Sequence, residues 1–382
     1  MKAFNILRST AGRPRLSFVA LLAVAALTCL TAFVVPAYAQ LPALGIGLTT
    51  LASNNPTLLD LAKELDQDGV VADIVEILNE TNGILEDMTF VEGNLITGHR
   101  SVIRTGIPLP TWRKMYGGVQ PNKSTNVQVT DTTGMLEAYG QVDKALADLN
   151  GNTLAFRASE DRPHLEGIAQ TIAQTTFYGN ETTTPESFTG LAPRYSTVQV
   201  ANAESADNVI DGGGAGPNNG SIWLVVWGPR TVHGIIPKGS KAGMQATDLG
   251  EQMIQNSDGS KYQAYVTHYR QDAGLTVRDW RYAGRVCNID VPSITGVANL
   301  ANTKALITFM VMLEERIPNL GAGRPVWYMN RQIRESLRLG IIEKIAPATL
   351  TAETVAGKPV IMFDGIPVKR CDQLLKTEAR VT

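Results

Sequence analysis

Side chains able to do covalent, acid–base or metal chemistry are sparse in this sequence and do not cluster along it. The four histidines, His99, His164, His233 and His268, lack the short spacing that puts two imidazoles on one metal ion, so each reads as a surface or packing residue. No His-Glu-x-x-His, no phosphate-binding P-loop and no Gly-x-Ser-x-Gly elbow occurs. The glycine-rich run from Gly212 to Gly216 follows a loop and precedes a strand, whereas a phosphate cradle follows a strand and opens a helix; it reads as a surface loop. Gly239-Ser240-Lys241 sets a hydroxyl beside an amine, but adjacent side chains diverge on most backbones, which predicts a turn. Cys287 and Cys371 have no Cys-x-x-Cys partner, and Cys29 lies in an apolar run; two of the three could form one disulfide, but buried free thiols are the favoured reading. No catalytic residue, metal site or cofactor is expected.

The elements that hold these residues are mixed. With 382 residues, 44% hydrophobic and 18% charged, the chain can build two or three compact units with real cores. Asn55-Pro56 opens an arm helix that Gly69 ends, and Val70 to Glu80 forms a second helical stretch with Ile74, Ile77 and Leu78 on one side. Phe90 to Thr105 and Val127 to Tyr139 read as strands joined by a polar, turn-rich excursion. A long two-stranded arm is marginal alone in water and needs a surface to lie against. Trp112 stands in that excursion beside Arg113 and Lys114, with little local core to join, and so reads as an anchor into another subunit.

Ser159 to Asn180 is the clearest helix, with Ser159 as cap, Pro163 in the first turn and Leu165, Ile168, Ile172 and Phe177 as its apolar face. Ile222 to Trp227, Tyr262 to Tyr269 and Leu275 to Asn288 read as strands. Trp223 and Trp227, four apart, share one face of theirs, opposite Leu224 and Val226, and suit a core or interface. A helix capped by Asn302 or Thr303 stops at Pro318, and the strand Val326 to Met329 feeds a helix that Gly340 ends. The closing segment from Gly357 to Asp372 is a hairpin around Asp364-Gly365, whose Pro367 suits an edge or strand-start position. The order is α+β without the rhythm of a doubly wound sheet.

The first 39 residues point elsewhere. Of the 34 lysines and arginines, Lys2, Arg8, Arg13 and Arg15 precede an apolar run from Leu16 to Val35, and Ala37-Tyr38-Ala39 follows. Physically this is a secretory signal peptide cleaved before Gln40, or an uncleaved anchor. A third reading is a start placed too far upstream; with no methionine between Met1 and Met88, a shorter product would begin at a non-ATG codon near Leu41, Leu48 or Leu51. The remainder carries 30 basic against 36 acidic residues. That mildly acidic body argues against affinity built on neutralising phosphates.

Residues 48–375 resemble the major capsid proteins of tailed bacteriophages, the Hong Kong 97-type fold. The likeness rests on segments in a shared order. Leu51-Ala-Ser-Asn-Asn-Pro-Thr-Leu-Leu-Asp-Leu-Ala-Lys63 is similar to the start of an N-terminal arm. Leu95-Ile-Thr-Gly-His-Arg100, Arg104-Thr-Gly-Ile-Pro108 and Trp112-Arg113 resemble an extended loop. Ala147-Asp-Leu-Asn-Gly-Asn152 and Phe177-Tyr-Gly-Asn180 flank the place of a long spine helix, and Phe188-Thr-Gly-Leu-Ala-Pro-Arg-Tyr195 follows it. Ser221-Ile-Trp-Leu-Val-Val-Trp227, Gly234-Ile-Ile-Pro-Lys-Gly-Ser-Lys-Ala-Gly243 and Val277-Arg-Asp-Trp-Arg281 resemble an axial domain.

The resemblance implies an N-terminal arm (40–87), an extended loop (88–142), a peripheral domain (143–200 and 355–382) and an axial domain (201–354). It implies a non-enzymatic subunit that self-assembles into hexamers and pentamers of an icosahedral shell. Its partners would be other copies of itself, further capsid and portal proteins, and enclosed double-stranded DNA held without sequence-specific binding, with no membrane involved. Arg100, Arg104, Trp112 and Arg113 become candidate intersubunit contacts. A competing expectation, an exported periplasmic binding protein or hydrolase, follows from the signal-like start and would require a soluble monomer with a ligand pocket. A shell subunit assembled in the bacterial cytoplasm has no use for export, which favours a misplaced start, or removal of residues 1–39 before assembly. Digested protein from purified particles should therefore yield no peptide covering Leu16 to Val35 by mass spectrometry; an intact peptide there would overturn this reading.

Overall fold

The computed structural model describes residues 82–382, apart from 150–152, 296–299, 344–349 and 356–357. The expected arm helices at 55–69 and 70–80, and the apolar N-terminal run with Cys29, lie outside the described residues. Helix α1 (Ile84–Asp87) leads to β1 (Phe90–Glu92), β2 (Gly98–Gly106) and β3 (Thr125–Asp143). Helices α2 (Lys144–Asp148), α3 (Thr153–Tyr178) and α4 (Leu191–Arg194) follow. Then come β4 (Val209–Asp211), β5 (Asn219–Trp227), β6 (Val232–Ile236), β7 (Gln245–Gln255), β8 (Lys261–Val277) and β9 (Ala283–Asp290). Helices α5 (Val291–Ile294) and α6 (Leu300–Glu314), strand β10 (Arg324–Met329) and helix α7 (Arg331–Ile342) precede β11 (Leu350–Val355), β12 (Lys358–Phe363) and β13 (Ile366–Arg370). The strands join edge to edge in the order β11-β12-β13-β10-β5-β6-β8-β3-β2; β1 adds to β6, β7 to β8, and β9 to β5 with β4 beyond it.

Strand β5 is buried along its whole length because both of its faces are covered. Ile222, Leu224 and Val226 pack with Leu306, Met310 and Leu313 of α6 and Ile333 and Leu337 of α7. Trp223, Val225 and Trp227 pack on the other side with Phe177, Leu191 and Tyr195. The expected alternation of the two tryptophans is therefore a core feature. Each such fully buried side chain contributes about 1.5–3 kcal/mol, well above a surface ion pair. These two layers hold the sheet.

The spine helix α3 starts at Thr153, six residues before the expected Ser159 cap. Phe156 on its first turns is buried with Val142, Leu146 and Ala147, so packing extends the helix past the local signal. Pro163 consequently lies inside the helix, where it forfeits one backbone bond. Leu165 is 37% exposed, off the buried stripe of Ile168, Ile172, Ala173 and Phe177. The expected strand from Leu275 to Asn288 is two strands, β8 and β9, separated by a turn at Trp280–Tyr282 whose Arg281 N–H bonds the Asp279 carboxylate. Helix α6 begins upstream of Asn302 and Thr303, and α7 runs through Gly340 to Ile342.

The closing hairpin forms as expected: Asp364 and Gly365 take φ of 47° and 78°, the paired positive values of a tight two-residue turn. Pro367 opposes Met362 on β12 and precedes the parallel pairing of β13 with β10, which begins at Val368. Its missing donor thus falls where no second neighbour is paired. Cys287 and Cys371 are both buried, as expected.

Beyond the hairpin, the chain runs back across the body. Glu378 meets Arg285 of β9 at 2.7 Å, with both side chains 5% exposed. Ser221 and Tyr178 donate to the same carboxylate, the guanidinium also bonds the Tyr195 carbonyl, and it stacks 5.1 Å over the Trp223 ring. Removing one partner would leave a bare charge inside the protein. Glu378→Gln is expected to lower unfolding stability by about 3–5 kcal/mol, read by urea denaturation of the purified subunit.

Candidate assembly interface

The feature that leaves the body is the hairpin of β2 and β3. From Gly98 opposite Thr132 to Gly106 opposite Thr125 these strands pair with each other. From Thr133 to Asp143, β3 pairs instead with β8. One continuous strand therefore belongs half to the body and half to the arm. The nine residues of β2 give the arm a reach of roughly 30 Å, tipped by the irregular loop 107–124. Within that tip Asn122 donates to the Leu109 carbonyl at 2.5 Å and Gly117 N–H to the Lys114 carbonyl at 3.1 Å.

Trp112, at 103% relative exposure, stands fully clear of its own chain, and Ile107, Leu109, Met115 and Tyr116 are exposed around it. Such a set of large apolar groups on a projection is a docking surface by its physics. Residues 93–130 also contain no acid and five bases, Arg100, Arg104, Arg113, Lys114 and Lys123. Arg104 and Arg113 are exposed near and on the tip, while Arg100 lies back at the base, its Nε 3.3 Å from the Thr130 hydroxyl. The structure thus places the four expected contact residues on one arm, with Trp112 and Arg113 at its end.

The arm is gripped at its base. The Asn94 side chain bonds both the amide and the carbonyl of Arg100, at 2.8 and 2.7 Å. Asp131, 4% exposed, accepts from Arg194 at 2.8 Å, and that guanidinium also donates to the carbonyls of Thr189, Gly190 and Leu275. His99 on β2 and His233 on β6 meet edge-to-face, 5.9 Å apart. Burial above all, then neighbouring His99 and Arg278, holds His233 down to a pKa of about 4. The sequence assigns each histidine a surface or packing role; sheet pairing brings two of them together, which no local spacing could signal. The remaining two stack on Tyr269 and Tyr139. Asp131, Arg194 and the Arg285–Glu378 pair were likewise invisible to local pattern, since their partners lie 63 and 93 residues away.

Ser240 donates to Asp272 within a turn bounded by Gly239 and Gly243 at φ of 84° and 82°, and Gly212 and Gly214 bond the β9 carbonyls of Cys287 and Asn288. Among the described residues no group of three metal-ligating side chains converges.

A mixed helix-and-sheet body carrying a long projecting hairpin is the architecture of Hong Kong 97-type capsid subunits. A chain of the cryo-EM structure of bacteriophage Epsilon15 matches at a TM-score of 0.68 and 37% identity, over 87% of this chain and 99% of that one. More distant likenesses are the capsid of bacteriophage JBD30 (TM-score 0.42, 9% identity, 79% of this chain and 93% of that) and the capsid of a native GTA particle (0.43, 10%, 62% and 99%). No curated protein matches. The family model of Major capsid protein GP7 matches residues 66–382, and the chain belongs to that family. It is a capsid shell protein of the virion, and the exported binding protein or hydrolase is not favoured.

The grip on the arm is testable in the subunit itself. Arg194→Met leaves the Asp131 carboxylate buried without its cation, and is expected to destabilise by about 3–5 kcal/mol in denaturant unfolding; Asp131→Asn together with Arg194→Met should recover part of that loss.

Proposed function

We propose that this subunit assembles in the bacterial cytoplasm into hexamers and pentamers of an icosahedral shell around double-stranded DNA, with each arm lying on a neighbouring copy. The single observation that carries this reading is Trp112, fully exposed at the end of a long hairpin whose residues 93–130 contain no acid. Aromatic and arginine side chains are the residue types that anchor interfaces, which supports Trp112 and Arg113 as contacts at the tip, and Arg100 and Arg104 along the arm. An acidic remainder suits a container that must not grip its packaged DNA. Further capsid proteins and a portal complete the partners, and the subunit works by shape and self-association, with no catalytic step of its own.

The organisation that goes with this function is an arm at 40–87, an extended loop at 88–142, a peripheral domain at 143–200 and 355–382, and an axial domain at 201–354. Two contacts support the last peripheral segment as a seam between the domains. Its strand β13 pairs with β10 of the axial domain, and its Glu378 accepts from Arg285 on β9 of that same domain.

Trp112→Ala separates folding from assembly. Because the ring touches nothing in its own subunit, unfolding stability should stay within about 0.5 kcal/mol of the parent. Shells counted by electron microscopy, or sedimenting as particles, should fall sharply. Normal shell yield, or loss of subunit stability, would refute the anchor.

A further inference from the structure

The base of the arm holds a concentration of unsatisfied polar atoms. His99 Nδ1, Ser101 Oγ, Asp131 Oδ2, His233 Nδ1 and Thr276 Oγ1 are all buried without a hydrogen-bond partner. They come from four strands that meet at one joint: His99 and Ser101 on β2, Asp131 opposite His99 on β3, His233 on β6, and Thr276 opposite His233 on β8. Groups of this kind are costly to bury unpaired, so the joint is a weak point in the attachment of the arm.

We propose that this joint is an acid-sensitive hinge, in which protonation of the His99–His233 pair loosens the arm from the body.

The charges facing the pair set the direction. Asp131 is the nearby acid, and its other oxygen is already engaged by Arg194. Arg278 follows β8, acts on both imidazoles and bonds the Pro229 carbonyl. Arg104 and Arg230 line the adjoining groove with Asp279, Arg281 and Glu204; Asp279 is held by Arg281 at 2.7 Å. A proton on either ring therefore adds positive charge to a site where cations already outnumber free acids. Burial and then Arg278 lower His99 against the pull of Asp131. His233 is lowered by burial, His99 and Arg278 against its bond to the Gly228 backbone and the pull of Asp131. Both rings are thus neutral in the closed joint at pH 7. In an opened joint they return toward an ordinary value of about 6.5 and bind protons more readily. Closure is complete above that value and is lost as the pH falls through it toward about 4, the value of His233 in the closed joint.

There is also room to move. Just beyond the histidines a groove of about 710 Å³ separates Val102, Ile103, Val127 and Val129 on the arm from Arg230, Arg278 and Trp280 on the body. The arm stands off from what lies beneath it.

The test is hydrogen exchange, resolved by mass spectrometry and corrected for intrinsic exchange chemistry, on the full-length unassembled subunit at pH 7 and pH 5. It is independent of how subunits contact one another. Exchange in 98–106 and 125–132 should accelerate roughly tenfold or more on acidification, while α3 keeps its protection. His99→Gln should blunt the acceleration, and His233→Asn gives the same reading if the first variant does not fold. Arm protection unchanged between the two pH values, equal acceleration in a folded variant, or α3 opening in step with the arm would each overturn the hinge.

Discussion

The continuity of β3 is the constraint on which the rest of this structure depends. A two-stranded ribbon has too little buried surface to be rigid alone in water. Here its longer strand does not stop where the ribbon ends; it runs on for eleven residues as the neighbour of β8. The arm inherits its direction from the body's sheet, and the body must be stiff enough to impose one. That stiffness comes from β5, sandwiched between the α6–α7 layer and the aromatic layer under the spine helix. Shell-building needs this kind of transmission, because a contact made at Trp112 is only as precise as the strand that carries it.

What could be read from the sequence was local in origin. Asp364-Gly365 dictates a tight turn through backbone sterics alone, and the four-residue spacing of Trp223 and Trp227 fixes their shared face whatever surrounds them. Lone cysteines without nearby partners are as buried as their composition suggests. The same local signals failed where packing outvoted them. Ser159, Glu160 and Pro163 look like a helix start, yet burial of Phe156 carries the helix six residues further back. Leu165 has the spacing of a core residue but faces solvent, because the sheet beneath α3 meets a narrower stripe than the sequence offers. The anchors on the arm were legible for the opposite reason: a tryptophan among prolines, glycines and bases has no local core to join.

The unread part was electrostatic and long-range. Asp131 with Arg194, Arg285 with Glu378, and His99 with His233 are brought together by strand register, and none leaves a periodic trace along the chain. These pairs sit where a segment is fastened to the main layers: the root of the arm and the returning C-terminal segment. Apolar layering decides where the elements lie, and buried polar contacts decide how the loose ends are tied to them.

The Glu378 contact has a consequence for how the subunit is made. Arg285 and Ser221 belong to strands at the middle of the sheet, and their ionic partner lies 93 residues beyond the arginine. A subunit whose chain stopped before residue 378 would hold that guanidinium inside the protein with no counter-charge, and would be less stable and more open to chaperones and proteases than the full subunit.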